Sequence, residues 1–229
     1  MQREILIGAV LWDMDGTLTD SEPLHFRAYQ KWLAEYNVAF TEEDYRQFLG
    51  ATDLALCKTL IALHKLPVTP ERMCAEKEEL YAEIVRDQVV LRPGVKKTLA
   101  VLRQHKVKTG VASSATKAAI DLMLGALTIK DYFQEVASGE EVANSKPAPD
   151  VFLLGANRLQ VKASSCLVVE DSINGIRAAK AAGMYCLAVP CDWTRYQDHS
   201  LADMRLNSLD ELTSTDRGLV AGDCLIRFV

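Results

Sequence analysis

The chain has 229 residues, 49% hydrophobic and 25% charged, with a formal net charge of −5. That length holds one large domain, or a domain with an insert, and that apolar content fills a core. The charge gives no general drive toward nucleic acid or an anionic membrane, no apolar run approaches the roughly 18 residues of a membrane span, and the N-terminus does not read as a signal peptide. Six cysteines without a C-x-x-C pair and four scattered histidines suggest reduced thiols in a cytoplasm rather than a disulfide framework or a zinc site.

The run from Ile5 to Trp12 has the length and composition of one buried strand. It ends in Asp13-Met14-Asp15-Gly16-Thr17-Leu18. Two carboxylates at i and i+2 share a face, and unpaired buried carboxylates are costly, so packing does not explain them. Like charges so close call for a cation, a shared proton or strong donors. From this window alone, a polar turn after an ordinary strand stays open. Gly16 would let the chain turn sharply where a Cβ would crowd the site. Thr17 is expected to hydrogen-bond Asp15.

Residues 19–89 read as an all-helical block. Ser21-Glu22-Pro23 starts a helix from Leu24 to about Asn37, with Phe26, Tyr29, Leu33 and Tyr36 as candidate core residues. Thr41 and Asp44 form a capping box for a short helix that Gly50 breaks. Asp53 to His64 is the third helix, with Leu56, Leu60 and Leu63 on one face. Thr69-Pro70-Glu71 starts the fourth, which runs to about Asp87.

The pattern then alternates. A helix led by Val95, Leu99 and Leu102 precedes a strand from Val107 to Ala112 that closes in Ser113-Ser114. A helix from Lys117, a strand from Phe133 to Ser138, and Lys146-Pro147-Ala148-Pro149-Asp150 leading into a helix follow. The strand from Ser165 to Val169 closes in Glu170-Asp171, and a helix then runs from Gly175 to a cap at Gly183. Tyr185 to Val189 is the last clear strand. A short strand or turn near Ala202-Asp203-Met204 and a capped helix from Asn207 to Leu212 are expected, and Leu219 to Val229 stays unassigned. Such alternation predicts an α/β fold, a Rossmann-like parallel sheet with helices on both faces. The first strand is cut from the rest by the helical block. The division is therefore a core of residues 1–18 and 90–229 with an inserted helical cap, residues 19–89, well placed to act as a lid.

Four strand ends thus carry polar groups: Asp13 with Asp15, Ser113 with Ser114, the Lys146 turn, and Glu170 with Asp171. Open α/β sheets place their chemistry beyond the carboxyl ends of strands. Carboxylates in that number suit Mg²⁺, a hard ion that prefers oxygen ligands, and lysine and serine suit phosphate oxygens. For Ser114 and Lys117 a helix cap and a solvated face are equally good explanations. Asn174 and Gly175 suit the turn after the acids, and Asn174 could orient Glu170.

Asp13-Met14-Asp15-Gly16-Thr17-Leu18, followed in order by Ser113, Lys146 and Glu170-Asp171, resembles the four motifs of the haloacid dehalogenase-like hydrolases over residues 5 to about 190. The helical insert resembles the cap of the sugar-phosphatase and β-phosphoglucomutase branch. The resemblance implies Asp13 as nucleophile, forming an aspartyl-phosphate, and Asp15 as general acid and base. It implies Lys146 as the residue that neutralises charge and orients Asp13, and Ser113 as a ligand of a phosphoryl oxygen. Mg²⁺ would be held by Asp13, the Asp15 carbonyl, Glu170 and Asp171. Asp15 argues against the dehalogenases and phosphonate-cleaving members, which lack a second aspartate. Glu22 and His25 fall in the hinge region shared by phosphatases and mutases. There Glu22 would read substrate hydroxyls or satisfy a helix end, and His25 would tune the acid or pack at the hinge.

The mutases resemble one another in a lysine and an arginine around the glycine of the cap loop. Here that loop reads Phe48-Leu49-Gly50-Ala51-Thr52-Asp53. An acid where a cation is needed favours hydrolysis of a small phosphorylated metabolite, a sugar or polyol phosphate. Intramolecular phosphoryl transfer and a non-catalytic binding protein are the alternatives, and a nucleotide or phosphoglycolate stays open as substrate. Leu49, Ala51, Thr52 and Lys77 are the cap residues on which substrate identity would depend. A cytoplasmic monomer or weak homodimer that engages neither nucleic acid nor membrane completes the expectation.

Overall fold

The computed structural model describes residues 3–48 and 53–229. Contacts divide the chain into two units, residues 1–20 with 90–229, and residues 21–89.

In the first unit the apolar N-terminal run is two strands rather than one, β1 (Arg3–Ile7) and β2 (Ala9–Trp12). The chain bends at Gly8, whose N–H donates to the Ser165 carbonyl. The break lets one apolar run serve two sheets, because β1 pairs with a C-terminal strand while β2 enters the main sheet. Composition marks both halves as strand, and no single sheet needs to hold them both.

The remaining strands of the main sheet are β3 (Lys108–Ser113), β4 (Glu135–Ser138), β5 (Cys166–Glu170), β6 (Tyr185–Ala188) and β7 (Met204–Arg205). All six are parallel, in the order β4-β3-β2-β5-β6-β7. The chain leaves β2 at the centre, builds outward through β3 and β4, then returns to β5 on the other side. That reversal opens a crevice at the carboxyl end of β2.

Side chains alternate across the sheet with period two. Leu11 and Val168 belong to the apolar cluster that also takes Phe152 and Ala156 of one crossover helix and Ile176 and Ala179 of the next. Trp12 and Val169 face the opposite side, where Leu102, Leu219 and Ile226 meet them. The second face is thus shared between a helix and a smaller sheet. That sheet comes from the stretch left unassigned in the sequence: β8 (Thr213–Thr215), β9 (Gly218–Ala221) and β10 (Cys224–Phe228). Its order is β1-β10-β9-β8, with β1 parallel to β10 and the other pairs antiparallel. The helix expected over Asn207 to Leu212 is only a 3₁₀ turn, Leu209–Glu211, closed by a Ser208–Glu211 capping box.

The second unit contains α1 (Glu22–Ala34), α2 (Glu42–Arg46), α3 (Asp53–His64) and α4 (Pro70–Gln88). Pro23 lies in the first turn of α1, Thr41 and Asp44 cap α2 reciprocally, and Thr69 accepts from the Arg72 N–H at the start of α4. Tyr29 and Leu33 are buried as expected, whereas Phe26 and Tyr36 are half-buried. Leu63 is exposed, because the buried stripe of α3 runs through Leu56, Cys57 and Leu60 and ends there. Gly50, and with it the cap-loop residues Leu49, Ala51 and Thr52, lies outside the described residues.

The helices of the first unit are α5 (Val95–Gln104), α6 (Lys117–Ala126), α7 (Asp150–Arg158) and α8 (Ile173–Ala181). Among the described residues no helix is long and apolar enough to cross a membrane. All six cysteines are free.

Candidate active site

Register places the acids. Trp12 pairs with Val169, so Asp13 and Glu170 each sit one residue beyond a matched pair, on the face that Leu11 and Val168 begin. The Asp13 N–H donates to the Val169 carbonyl at 3.0 Å, which carries the ladder one step past the strand end. Asp13, Glu170 and Asp171 are all buried, and one oxygen from each lies within 4.8 Å of the others.

Lys146 enters this group from the turn before α7. Its Nζ donates to Asp13 Oδ1 at 2.5 Å and to Glu170 Oε1 at 3.0 Å, with all three side chains nearly closed to solvent. The ammonium also lies 4.6 Å from the centre of the Phe152 ring, a favourable seat for a cation. Glu170 is held from its other side. Ser172, the N-cap of α8, donates its N–H to Glu170 Oε2 at 2.6 Å and its hydroxyl at 3.0 Å. Ser172 therefore orients Glu170, a role the sequence left open for Asn174, and the positive end of the α8 dipole adds to it.

Three buried carboxylates face one ammonium, an excess of negative charge in a medium that penalises it. The titration of the acids reflects this. Burial pushes Asp13 up to about 7, Lys146 opposes that shift, and Glu170 and Asp15 add to it. Burial also drives Asp171 well above the ordinary carboxylate range, with Glu170 and Asp13 contributing. For Lys146, burial pulls down, but Asp13 and Glu170 outweigh it and hold the ammonium above lysine's ordinary range. An oxygen-only donor set with surplus negative charge fits a hard divalent cation, which would take the place of protons.

Two glycines shape the cluster. Gly16 has φ +80°, and a Cβ there would overlap the Asp171 carboxylate. A Cβ on Gly175, in the first turn of α8, would overlap Glu170 Oε1. The first was anticipated from the turn; the second serves the acid itself, beyond the turn role read from sequence.

The other anticipated residues are placed as follows. Asp15 is half-buried and near enough to raise Asp13. Ser113 ends β3 beside β2, its hydroxyl oxygen accepting the Ala115 N–H at 3.0 Å. Ser114 and Lys117 are exposed, and Thr116 rather than either caps α6. Among the described residues no hydrogen bond or ion pair joins Ser113, Ser114 or Lys117 to the carboxylates. The expected Thr17–Asp15 bond is absent: Thr17 Oγ1 is buried with no hydrogen-bond partner among the described residues.

Glu22 and His25 belong to the helical unit. Glu22 Oε2 accepts the Tyr45 hydroxyl at 2.6 Å. His25 stacks on Tyr81 at 3.9 Å, and its Nδ1 lies 2.9 Å from Lys77 Nζ. Lys77 is fully buried in mid-helix, so its charge requires partners, which are Asp53 Oδ2 and Glu78 Oε1, each at 2.8 Å. Burial and Lys77 lower His25 to about 3, against the opposing pull of Asp53.

A parallel α/β sheet thus gathers buried carboxylates and an ammonium at the carboxyl ends of its central strands, where enzymes of open α/β architecture place their chemistry. Residues 10–189 match the family model for haloacid dehalogenase-like hydrolases, and the chain belongs to that family. It is 33% identical over 221 residues to hexitol phosphatase B of Escherichia coli, covering 93% of this chain and 97% of that protein. The structure of a variant of the protein CbbY from Rhodobacter sphaeroides, in complex with xylulose-1,5-bisphosphate, superposes with a TM-score of 0.80 at 29% identity, covering 90% of this chain and 96% of that one. A putative β-phosphoglucomutase from Thermotoga maritima superposes with a TM-score of 0.79 at 27% identity, with the same coverage, 90% and 96%.

Proposed function

We propose that the chain is a Mg²⁺-dependent phosphomonoester hydrolase that acts on a small phosphorylated metabolite, a sugar or polyol phosphate, through an aspartyl-phosphate on Asp13. The observation that carries this reading is the buried group of Asp13, Lys146, Glu170 and Asp171. The kinship with hexitol phosphatase B supports the substrate class. Residues 1–18 and 90–229 would be the catalytic core and residues 19–89 the cap. The enzyme would be a cytoplasmic monomer or weak homodimer, with no nucleic-acid or membrane partner.

Asp13, Glu170 and Asp171, with the Asp15 carbonyl, would hold Mg²⁺, whose contribution is to neutralise negative charge at the phosphoryl group. A carboxylate oxygen of Asp13 attacks phosphorus, the P–O bond to the leaving group breaks, and Asp15 gives that oxygen a proton. Asp15 then takes a proton from water as the water oxygen attacks phosphorus and the bond to Asp13 breaks. Lys146 keeps Asp13 ionised and aimed, and its charge lies where negative charge develops. Ser113 at the end of β3, Ser114 after it and Lys117 at the start of α6 would bind phosphoryl oxygens; Glu22 would read the substrate's hydroxyls, and His25 would tune the general acid or pack at the hinge.

Intramolecular phosphoryl transfer would need a cation in the helical unit to hold a second phosphate. The loop sequence Phe48-Leu49-Gly50-Ala51-Thr52-Asp53 offers an acid where the mutases carry an arginine, which favours hydrolysis. The test is a panel of phosphorylated sugars and polyols with Mg²⁺, read as phosphate release, with Asp13→Asn as control. Release lost in Asp13→Asn supports the reading. No release from any member would leave a binding protein instead. Conversion of β-glucose 1-phosphate to glucose 6-phosphate, primed by a trace of bisphosphate, would make the enzyme a mutase.

A further inference from the structure

We propose that the irregular segment after β6, residues 190–199, is a clamp that fixes Asp171 for cation binding, with Thr194 as its positioning residue. The inference rests on the reading of Asp13, Glu170 and Asp171 as the cation's holders. Asp171 differs from its two neighbours in one respect. Lys146 pairs with Asp13 and Glu170, whereas the partners of the Asp171 carboxylate are neutral. A buried carboxylate without an ammonium needs donors to hold its charge and its orientation.

Four side chains of this segment converge on residues 171–173. The Thr194 hydroxyl donates to Asp171 Oδ2 at 2.9 Å, and the Cys191 thiol lies 3.4 Å from the same oxygen. The buried His199 contacts the Asp171 carbonyl through Nε2 at 3.0 Å, and because a carbonyl only accepts, that nitrogen carries the proton. Gln197 Oε1 accepts the Ile173 N–H at 2.7 Å, satisfying a free donor at the start of α8. The Thr194 hydroxyl is itself oriented. Its oxygen accepts the Cys191 N–H at 3.0 Å, which turns its proton toward Asp171. Arg92 anchors the start of the segment, donating to the carbonyls of Val189 at 2.7 Å, Pro190 at 2.8 Å and Gly16.

One oxygen of Asp171 is thereby committed to the protein. Oδ1 makes no hydrogen bond among the described residues. An acid held by one oxygen keeps the other for a cation at little cost in reorganisation. Nothing in the sequence of this segment announces the role, since threonine, cysteine and histidine at these spacings form no motif.

The experiment compares wild type, Thr194→Val, which keeps the shape and removes the donor, and Thr194→Ser, which keeps the donor. Mg²⁺ binding is measured by calorimetry and by the melting shift that Mg²⁺ produces, alongside melting in EDTA as the control for folding. Thr194→Val is expected to weaken Mg²⁺ binding about 10- to 100-fold, to melt in EDTA within a few degrees of wild type, and to be rescued by Thr194→Ser. If Thr194→Val does not fold, Cys191→Ala takes its place, with a several-fold weakening expected. Wild-type Mg²⁺ affinity in the folded variant overturns the clamp and leaves the proposed hydrolase intact. A wild-type protein that binds no Mg²⁺ at all overturns the cation reading of the carboxylates, and the clamp with it.

Discussion

Gly175 and Glu170 are in contact across the start of α8, so close that a Cβ on the glycine would overlap Oε1 of the acid. That oxygen is the one that accepts Lys146 Nζ. The helix thus approaches the site to a distance at which only a hydrogen fits.

Gly175→Ala should therefore reverse the usual rule. Replacing a helical glycine by alanine ordinarily stabilises by about 1 kcal/mol. Here the methyl group would displace Glu170 from both Lys146 and Ser172, an overpacking penalty of about 1–3 kcal/mol. We expect a lower melting temperature and a loss of phosphatase activity of about 100-fold. Thermal melting and hydrolysis of p-nitrophenyl phosphate check both, and a variant with wild-type melting and turnover would contradict the packing argument.

Gly16→Ala combines two penalties at the other acid. The backbone at φ +80° disfavours any side chain, and the added carbon would overlap the Asp171 carboxylate. The expected result is weaker Mg²⁺ binding together with lower stability in EDTA. This separates Gly16→Ala from Thr194→Val, for which only the first is expected. Calorimetry and melting on the same samples distinguish the two.

Asp13 and Asp171 set a pH dependence whose sign follows from their raised titration. An acid with a higher pKa in the folded state stabilises the fold fully below its unfolded pKa, and that contribution is lost as pH rises through the folded value. For Asp13 the window runs from about 4 to about 7. Metal-free protein should lose stability across that window, and Mg²⁺, which takes the place of the protons, should return it. The melting shift produced by Mg²⁺ is then expected to be small at pH 5 and several degrees larger at pH 8. A shift that is equal at both ends would contradict the charge excess inferred for the site.

Much of the site was legible because its residues end strands. A run of apolar residues closed by Asp13 or by Glu170-Asp171 has few structural explanations, and order along the chain supplied the rest. What escaped lay in irregular chain. Thr194, Gln197 and His199 follow no period, and their partners are fixed only when the segment folds back over the start of α8. The split of the first apolar run was hidden for a different reason. Composition reports burial, and both β1 and β2 are largely apolar, so the sheet to which each belongs depended on β10, a partner more than 200 residues away. Lys77 shows a third limit. Helical spacing did not fix where Lys77, read as a cap residue on which substrate identity would depend, points, and its burial is intelligible only beside His25, Asp53 and Glu78, contributed by α1, α3 and α4.

That buried group gives the helical unit an acid sensitivity of its own. His25 faces Lys77, Asp53 and Glu78 and stacks on Tyr81, and its folded-state value of about 3 lies well below the ordinary histidine value of about 6.5. Below about 6.5 the unfolded chain takes up a proton that the folded imidazole declines, so the contribution is present above that pH and is lost as pH falls toward the folded value. Burial raises Asp53, but Lys77, His25 and the Tyr29 hydroxyl together outweigh it and hold the acid below the ordinary carboxylate range, so it loses its own contribution only below about 4. Between pH 6.5 and 4.5 Asp13 and Asp171 also titrate, but alike in both proteins, so the histidine is read from the difference between wild type and a variant that lacks it. His25→Phe keeps a ring to stack on Tyr81 and removes the titration. Its melting temperature should fall less steeply with acid over that window than that of wild type, even if the variant starts lower for want of a partner to Lys77. Parallel slopes for the two proteins would mean that His25 accepts a proton in the folded state, and that the ammonium beside it does not hold it neutral.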